Sequence, residues 1–496
     1  SISLLYKQDI TLCHTSIINM DFTNRKAGIT ISLYSRFEVN FIMKGKHLSL
    51  KQRLLVAATL FGMFFGAGNL IFPVHLGQLA GHNLVPATVG FILTAVGIPI
   101  LGVAAIGNTH SDGLQALASK VGGRYGCFFT CLLYLTIGPC FAIPRCATTS
   151  FTTGIAPMLG NAVSERMTLF LFSAVFFALV LLFSLRPGNI TLWIGKIINP
   201  LFLFFLGILI VSALLHPGAP ASATIPDASY QSGALFQALS EGYGTMDAIA
   251  GLAFGIIVIN VIRQMGVQND EVIAGEVLHS GILAGILMAL IYMLTILIGA
   301  QSLGLFTASE NGGIALSQIS SHYLGRAGIL ILAVTITFAC LKTSIGLVIS
   351  CAETFEKMFP HRLSYTAWAV LFTAFSFLIS NAGLSTIIRY SVPVLMLIYP
   401  PAIALILLAL FERHFNHDRK VYFWVTVFTW SASLFDFFKA LPEELQSLFH
   451  LDAAVEFAER FLPFFGLNLG WILPAIIGLI IGLLFQKRQK RLPAFA

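Results

Sequence analysis

Two stretches of the sequence hold residues whose types and spacing could do chemistry. The first is Phe61-Gly62-Met63-Phe64-Phe65-Gly66-Ala67-Gly68-Asn69-Leu70-Ile71-Phe72-Pro73, which sets three glycines and an asparagine inside an apolar run. The second is Glu241-Gly242-Tyr243-Gly244-Thr245-Met246-Asp247, which puts two acids and two glycines just before the apolar residues 248–262. A helix that unwinds at such a point frees backbone N–H groups where one half starts and C=O groups where the other half ends. The N–H groups suit a carboxylate, aided by the helix dipole, and the carbonyls suit a cation such as Na⁺. A lone glycine in an apolar helix only permits close packing. The pairing of two polar breaks points instead to a binding site. Asp247 has two compatible readings, a cap for the helix that follows it and a ligand.

The elements that must position these residues are membrane spans. Of 496 residues, 57% are hydrophobic and 10% are charged, against roughly 25% charged in an average soluble domain. A soluble chain cannot hide so much apolar surface. With about 20 apolar residues needed to cross a bilayer, roughly twelve spans emerge: 54–76, 84–107, 125–151, 169–185, 190–215, 236–262, 272–303, 327–352, 365–380, 384–410, 422–438 and 467–485. Backbone groups in lipid must be satisfied within the segment, so the spans are helices, and the period-two alternation of a membrane β-barrel is missing. The two polar stretches fall in spans one and six. Interrupted helices in corresponding positions of two halves predict inverted repeats around a midplane site.

Charge sets orientation. The net charge is +7, from 29 Lys and Arg against 22 Asp and Glu. One set of alternate links carries Lys44, Lys46, Lys51, Arg53, Lys120, Arg124, Arg186, Lys196, Arg263, Lys357, Arg362, Arg413, Arg419, Lys420, Lys487, Arg488, Lys490 and Arg491, and the other only Arg166, Arg326, Arg389, Lys439 and Arg460. Both termini are therefore expected in the cytoplasm, and the basic residues form no stripe suited to nucleic acid. Glu443, Glu444, Asp452, Glu456 and Glu459 crowd the link before the last span, which reads as an external amphipathic segment. Residues 1–42 hold neither a span nor a signal peptide. Met43 is the expected initiator, with a disordered tail as the alternative.

Other chemistries lack their residues. There is no His-Glu-x-x-His, and Gly195-Lys196 is followed by Ile197 rather than a hydroxyl residue, so no phosphate loop and no ATP drive are expected. His75, His82 and His110 are scattered. Cys127 and Cys131 share a helix face but lack further ligands for a metal set. No filter or charged ring of a channel is evident.

The runs 64–73 and 241–247, with Ser391-Val392-Pro393-Val394-Leu395-Met396-Leu397-Ile398-Tyr399-Pro400-Pro401, resemble the bacterial branched-chain amino acid:cation symporter family, within the amino acid–polyamine–cation transporters. The likeness covers nearly everything from Met43 onward. It implies Na⁺- or H⁺-driven uptake of leucine, isoleucine and valine across the bacterial inner membrane, without cofactor or ATP, on a leucine-transporter-like all-α fold with broken helices 1 and 6. On that pattern 43–496 is one transporter domain, with a first repeat at 54–215, a second at 236–410 and two accessory helices at 422–485.

The resemblance also implies roles. N–H groups around Ala67, Gly68 and Asn69 would hold the substrate carboxylate, with the hydroxyl of Tyr134. Carbonyls near Gly62 and Phe65, with the hydroxyls of Thr343 and Ser344, would hold Na⁺. Broken-helix carbonyls near Gly244 and the side chains of Tyr243, Thr245 or Asp247 would meet the ammonium and line the pocket. Thr343 and Ser344 could instead bond back to their own helix. Lys342 is a costly intramembrane cation. In one reading it competes with or replaces Na⁺ and makes the carrier proton-coupled. In the preferred one it snorkels or pairs with an acid, because neighbouring helix residues point about 100° apart. Arg145 and Arg389 read as similar charges nearer an interface. A membrane sensor keeping the same site is a further alternative.

Overall fold

A computed structural model describes residues 47–66, 68–109, 111–159, 164–185, 190–218, 220 and 224–491. The expectations for residues 1–42, Met43, Ala67 and His110 lie outside the described residues. Every regular element among the described residues is helical.

Span one is two helices, α1 (Leu50–Phe64) and α2 (Gly68–Ala80). Ser49 starts α1 with a capping box, its hydroxyl accepting from the Gln52 N–H while Gln52 accepts from the Ser49 N–H at 2.9 Å, so two orphan donors are satisfied reciprocally. Phe65 turns extended (φ −72°, ψ 98°) and ends α1. Span two is α3 (Leu84–Ile92), a π-helical turn at Leu93–Gly97, and α4 (Ile98–Asn108). After the short α5 (Leu114–Ala118), span three is α6 (Gly123–Leu135) and α7 (Ala142–Ser150), separated by a π turn, Thr136–Cys140, with Gly138 off helical geometry (φ −100°, ψ −118°) and Pro139 beside it. Spans four and five are α8 (Glu165–Ser184) and α9 (Ile190–Leu215).

A single turn, α10 (Ala228–Gln231), precedes span six. Span six is α11 (Ala234–Glu241), a 3₁₀ turn at Gly242–Thr245, Met246 in the left-handed region (φ 65°), and α12 (Asp247–Gln264). Both helix breaks therefore fall at the polar stretches. Span seven is α13 (Asp270–Ser302). The element α14 (Gly312–Met358) is two helices joined at Gly325 (φ 59°, ψ −153°). Its second part is span eight. Its first part, 312–324, lies in what the hydropathy pattern treats as a link, because serines and a histidine dilute its apolar residues. Spans nine to eleven are α15 (Tyr365–Ser380), α16 (Leu384–Leu410) and α17 (Arg419–Ala440). The acidic link folds into α18 (Glu443–Leu448) and the amphipathic α19 (Asp452–Phe461), and α20 (Ile472–Arg491) is span twelve. Eight helical segments among the described residues are long and apolar enough to cross a membrane. One of them, Gly68–Asn108, carries α2 together with span two; the shorter apolar helices Leu203–Leu215, Tyr365–Ser380 and Ile472–Lys487, and α1, which completes span one with α2, bring the spans to twelve.

Small residues let the broken spans sit close to their neighbours. A Cβ on Gly77 of α2 would stand 2.1 Å from the Ile296 carbonyl of α13, and one on Gly299 of α13 would stand 2.1 Å from the Val74 carbonyl of α2. The two backbones touch at two levels, which fixes α2 against a continuous helix. Side chains tie each end. At the basic end Arg53 grips Glu276 with Nε at 2.6 Å and Nη2 at 2.8 Å, and Lys120 meets Glu412 at 2.5 Å. At the other end Arg389 meets Glu444 at 2.6 Å, and Lys439 donates to the Phe465 carbonyl at 3.2 Å.

Candidate functional site

The breaks of spans one and six meet. A cavity of about 40 Å³ lies between them, lined by Gly66, Gly68 and Asn69 from span one, Arg145 and Cys146 from α7, Thr245, Met246 and Asp247 from span six, and Thr343 from α14. Asn69 organises it. Its Oδ1 accepts from the Gly66 N–H at 2.9 Å, holding the unwound segment, and its Nδ2 donates to Asp247 Oδ2 at 2.5 Å and to the Tyr292 hydroxyl. That hydroxyl donates in turn to Asp247 Oδ2 at 3.3 Å. Asn69 is 2% exposed and Asp247 3%. Buried polar groups persist only when such a network satisfies them.

Asp247 is not the cap of α12. Thr245 accepts from the Asp247 N–H at 3.3 Å, and its own hydroxyl donates to the Gly242 carbonyl at 2.9 Å. The N-cap position belongs to Met246, which makes no side-chain cap, and the Asp247 carboxylate in the first turn faces span one. Tyr243 stacks on Tyr399, with ring centroids 4.2 Å apart, and lines a separate cavity of about 260 Å³ with Phe72, His75, Glu241 and Gly244. Gly244 borders that second cavity, and its carbonyl accepts from Arg145 Nη1 at 2.6 Å. The carbonyl assigned to an ammonium already has a cation.

Tyr134 is not brought to the first cavity. It sits in α6, before the π turn, and its hydroxyl points to the Ala253 carbonyl at 3.5 Å. Arg145 of α7 takes the place on span three that faces the breaks. It is 3% exposed, and its guanidinium lies 5.3 Å from the Phe72 ring centroid, a cation–π distance. The sequence places Arg145 nearer an interface, whereas the turn at Thr136–Cys140 brings it to the breaks. The Gly138-Pro139 pair was the available signal, since a break there redirects everything beyond it.

Of the residues assigned to Na⁺, Thr343 faces the first break: a Cβ on Gly66 would be 3.4 Å from Thr343 Oγ1. The same hydroxyl bonds back to the Ala339 carbonyl at 3.1 Å, the bond to its own helix that the sequence offered as the alternative. Ser344 is fully buried, and its Oγ has no hydrogen-bond partner among the described residues. Phe65 closes α1, its N–H bonded to the Phe61 carbonyl at 2.8 Å and its ring stacked on Phe61 at 4.8 Å. Gly62 lies in the last turn of α1, and its carbonyl accepts from Lys342 Nζ at 2.9 Å. The preferred reading of Lys342 is corrected on this point. Its flexible four-carbon stem brings the ammonium to the proposed cation site, although its Cα direction differs from that of Thr343.

A family model described as "Branched-chain amino acid transport protein" matches residues 49–489. The chain belongs to that family. It is 48% identical over 450 residues to the branched-chain amino acid permease BrnQ of Lactobacillus delbrueckii subsp. lactis, covering 90% of this chain and all of that one. BrnQ of Bacillus subtilis is 39% identical, covering 88% of this chain and 97% of its own. These relatives are named as permeases, not enzymes. Among solved structures, the inward-facing conformation of Mhp1 matches with a TM-score of 0.56 at 14% identity, covering 90% of this chain and 92% of that chain. Mhp1 in a closed conformation matches with a TM-score of 0.53, also at 14% identity. This likeness concerns the fold, which is the leucine-transporter-like one with broken helices 1 and 6.

Proposed function

We propose that the protein is a secondary symporter that imports leucine, isoleucine and valine by alternating access across the bacterial inner membrane, with its basic links and both termini in the cytoplasm. The observation that carries this reading is the meeting of two helix breaks at one buried cavity, locked by Asn69 and Asp247. The family membership and the names of the relatives support the substrate class. The amino acid binds at the backbone of Gly68 and Asn69 where α2 begins, opposite Asp247 and Thr245. Discrimination among the three substrates is modest, since one methylene in an apolar pocket is worth about 1–3 kcal/mol. The five-plus-five division into 54–215 and 236–410, with 422–485 as accessory helices, is part of this proposal.

Na⁺ is the proposed coupling ion, held by oxygens of Gly62, Phe65, Thr343 and Ser344. A second reading, proton coupling, is favoured by one observation: the Lys342 ammonium already donates to the Gly62 carbonyl. Its proton would then be the ion carried. Leucine uptake into proteoliposomes, with Na⁺ and pH gradients imposed separately, decides between them. Uptake driven by the Na⁺ gradient alone supports the first reading, and uptake driven by the pH gradient alone supports the second. Binding without counterflow of labelled leucine would make the protein a sensor and end both.

A further inference from the structure

Arg145 and Arg389 look alike in the sequence, yet the side chain of Arg389 is 53% exposed and paired with Glu444, whereas Arg145 is buried in the first cavity without an acidic partner in ion-pair reach among the described residues. Its guanidinium is engaged on one side only. Nη1 donates to the Gly244 carbonyl at 2.6 Å, Nη2 reaches the Thr245 carbonyl only at 3.5 Å, and Nε is buried with no partner among the described residues. The edge formed by Nε and Nη2 is therefore the one open to a ligand. A Cβ on Gly68 would stand 2.8 Å from Nη2 and 3.3 Å from Cζ, so the guanidinium lies against the backbone where α2 begins. The start of a helix carries partial positive charge. Two positive features thus converge on one buried spot, and burying a cation without an anion is costly.

A planar carboxylate fits that edge in the side-on, two-bond geometry that guanidinium favours. Asp247 lines the same cavity, and the hydrogen bonds from Asn69 and Tyr292 reach its Oδ2. Its Oδ1 is the remaining anionic oxygen. We infer that Arg145 binds the α-carboxylate of the amino acid through Nε and Nη2 while Asp247 receives the ammonium through Oδ1, so that the site recognises the zwitterion by a fixed pair of opposite charges. This rests on the amino acid reading above. The cavity is small, about 40 Å³. Entry of leucine therefore moves Nη2 off the Thr245 carbonyl, its longer contact, while Nη1 keeps the Gly244 carbonyl.

The test uses the full-length protein in nanodiscs at fixed Na⁺ and pH. Labelled leucine is displaced by leucine, by leucinamide, which lacks the carboxylate, or by 4-methylpentanoate, which lacks the ammonium. Both analogues are expected to compete at least about 100-fold worse than leucine in the wild type, as for loss of one partner of a buried charge pair. In Arg145→Gln the advantage over leucinamide collapses to near parity while the advantage over 4-methylpentanoate remains, and Asp247→Asn shows the reverse. Arg145→Gln keeping the wild-type preference for leucine over leucinamide overturns the inference. If Arg145→Gln binds nothing, Arg145→Lys decides. It keeps the charge without the two-bond edge, so a reduced preference supports the inference and an unchanged one overturns it. Wild-type protein that binds none of leucine, isoleucine and valine would instead overturn the amino acid reading beneath it.

Discussion

At the scale of residues, Asn69 joins span one to span six and to α13 through a single side chain. Tyr292 completes the triangle with a hydroxyl that accepts from Asn69 and donates to Asp247. Tyr292→Phe leaves the shape of the site intact and removes that hydroxyl. An unmade buried hydrogen bond costs about 1–3 kcal/mol, so leucine affinity is expected to fall about tenfold, the equivalent of 1.4 kcal/mol, with wild-type membrane insertion. Equilibrium binding in nanodiscs checks this, and unchanged affinity would remove Tyr292 from the site. Gly68 has a sharper constraint. A Cβ there already crowds Arg145 Nη2 at 2.8 Å and Thr245 Cα at 3.3 Å, and valine adds two methyl groups. Gly68→Val should abolish leucine uptake while fluorescence size-exclusion still shows inserted, monodisperse protein. Retained uptake would place the substrate elsewhere.

At the scale of elements, the broken helices depend on continuous ones. Gly299 of α13 lets α2 lie backbone to backbone against it. Gly299→Ala forces the two helices apart. Overpacking of this kind costs about 1–3 kcal/mol, and a lowered melting temperature with reduced uptake is expected. A variant as stable as wild type would mean that the contact yields freely. The tie between α14 and α1 is the Lys342–Gly62 bond. Lys342→Ala takes the fixed cation from the carbonyl at the end of α1. On the proton reading the variant loses drive by a pH gradient, measured as leucine accumulation in proteoliposomes. Accumulation unchanged under the same gradient would show that Lys342 is not the coupling group.

At the scale of the whole molecule, large side chains such as Phe204, Ile286, Leu378 and Leu484 face outward, as expected where the solvent is lipid tails. Charged residues collect at two ends, bound by Arg53–Glu276 and Lys120–Glu412 at one and Arg389–Glu444 at the other. The proposed orientation puts Lys51 inside and Ser447 of α18 outside. A membrane-impermeant maleimide should label Ser447→Cys in intact cells and Lys51→Cys only after permeabilisation, with the unsubstituted protein as the background. The opposite pattern would invert the topology.

The spans and both helix breaks were legible in the sequence because their causes are local. Apolar run length must match the bilayer, and glycines with polar neighbours inside such a run disrupt it wherever the chain goes. The acidic link was legible as an amphipathic surface segment for the same reason, and it folds as α18 and α19. The helix at 312–324 was not, since its composition is mixed and its place is set by contact: Gly312 lies against the Ile71 carbonyl of α2. The partners at the site were also beyond local reading. Asn69 and Asp247 are 178 residues apart, Arg145 and Gly244 are 99 apart, and Lys342 and Gly62 are 280 apart. By itself the sequence determined a membrane protein of about twelve helices with two polar breaks. Only the tertiary structure decided that Arg145 rather than Tyr134 faces those breaks, that the Asp247 carboxylate meets Asn69 across them, and that Lys342 reaches Gly62. Which way a side chain points from a helix depends on how that helix is rotated and kinked against its neighbours, and packing across the whole molecule sets both.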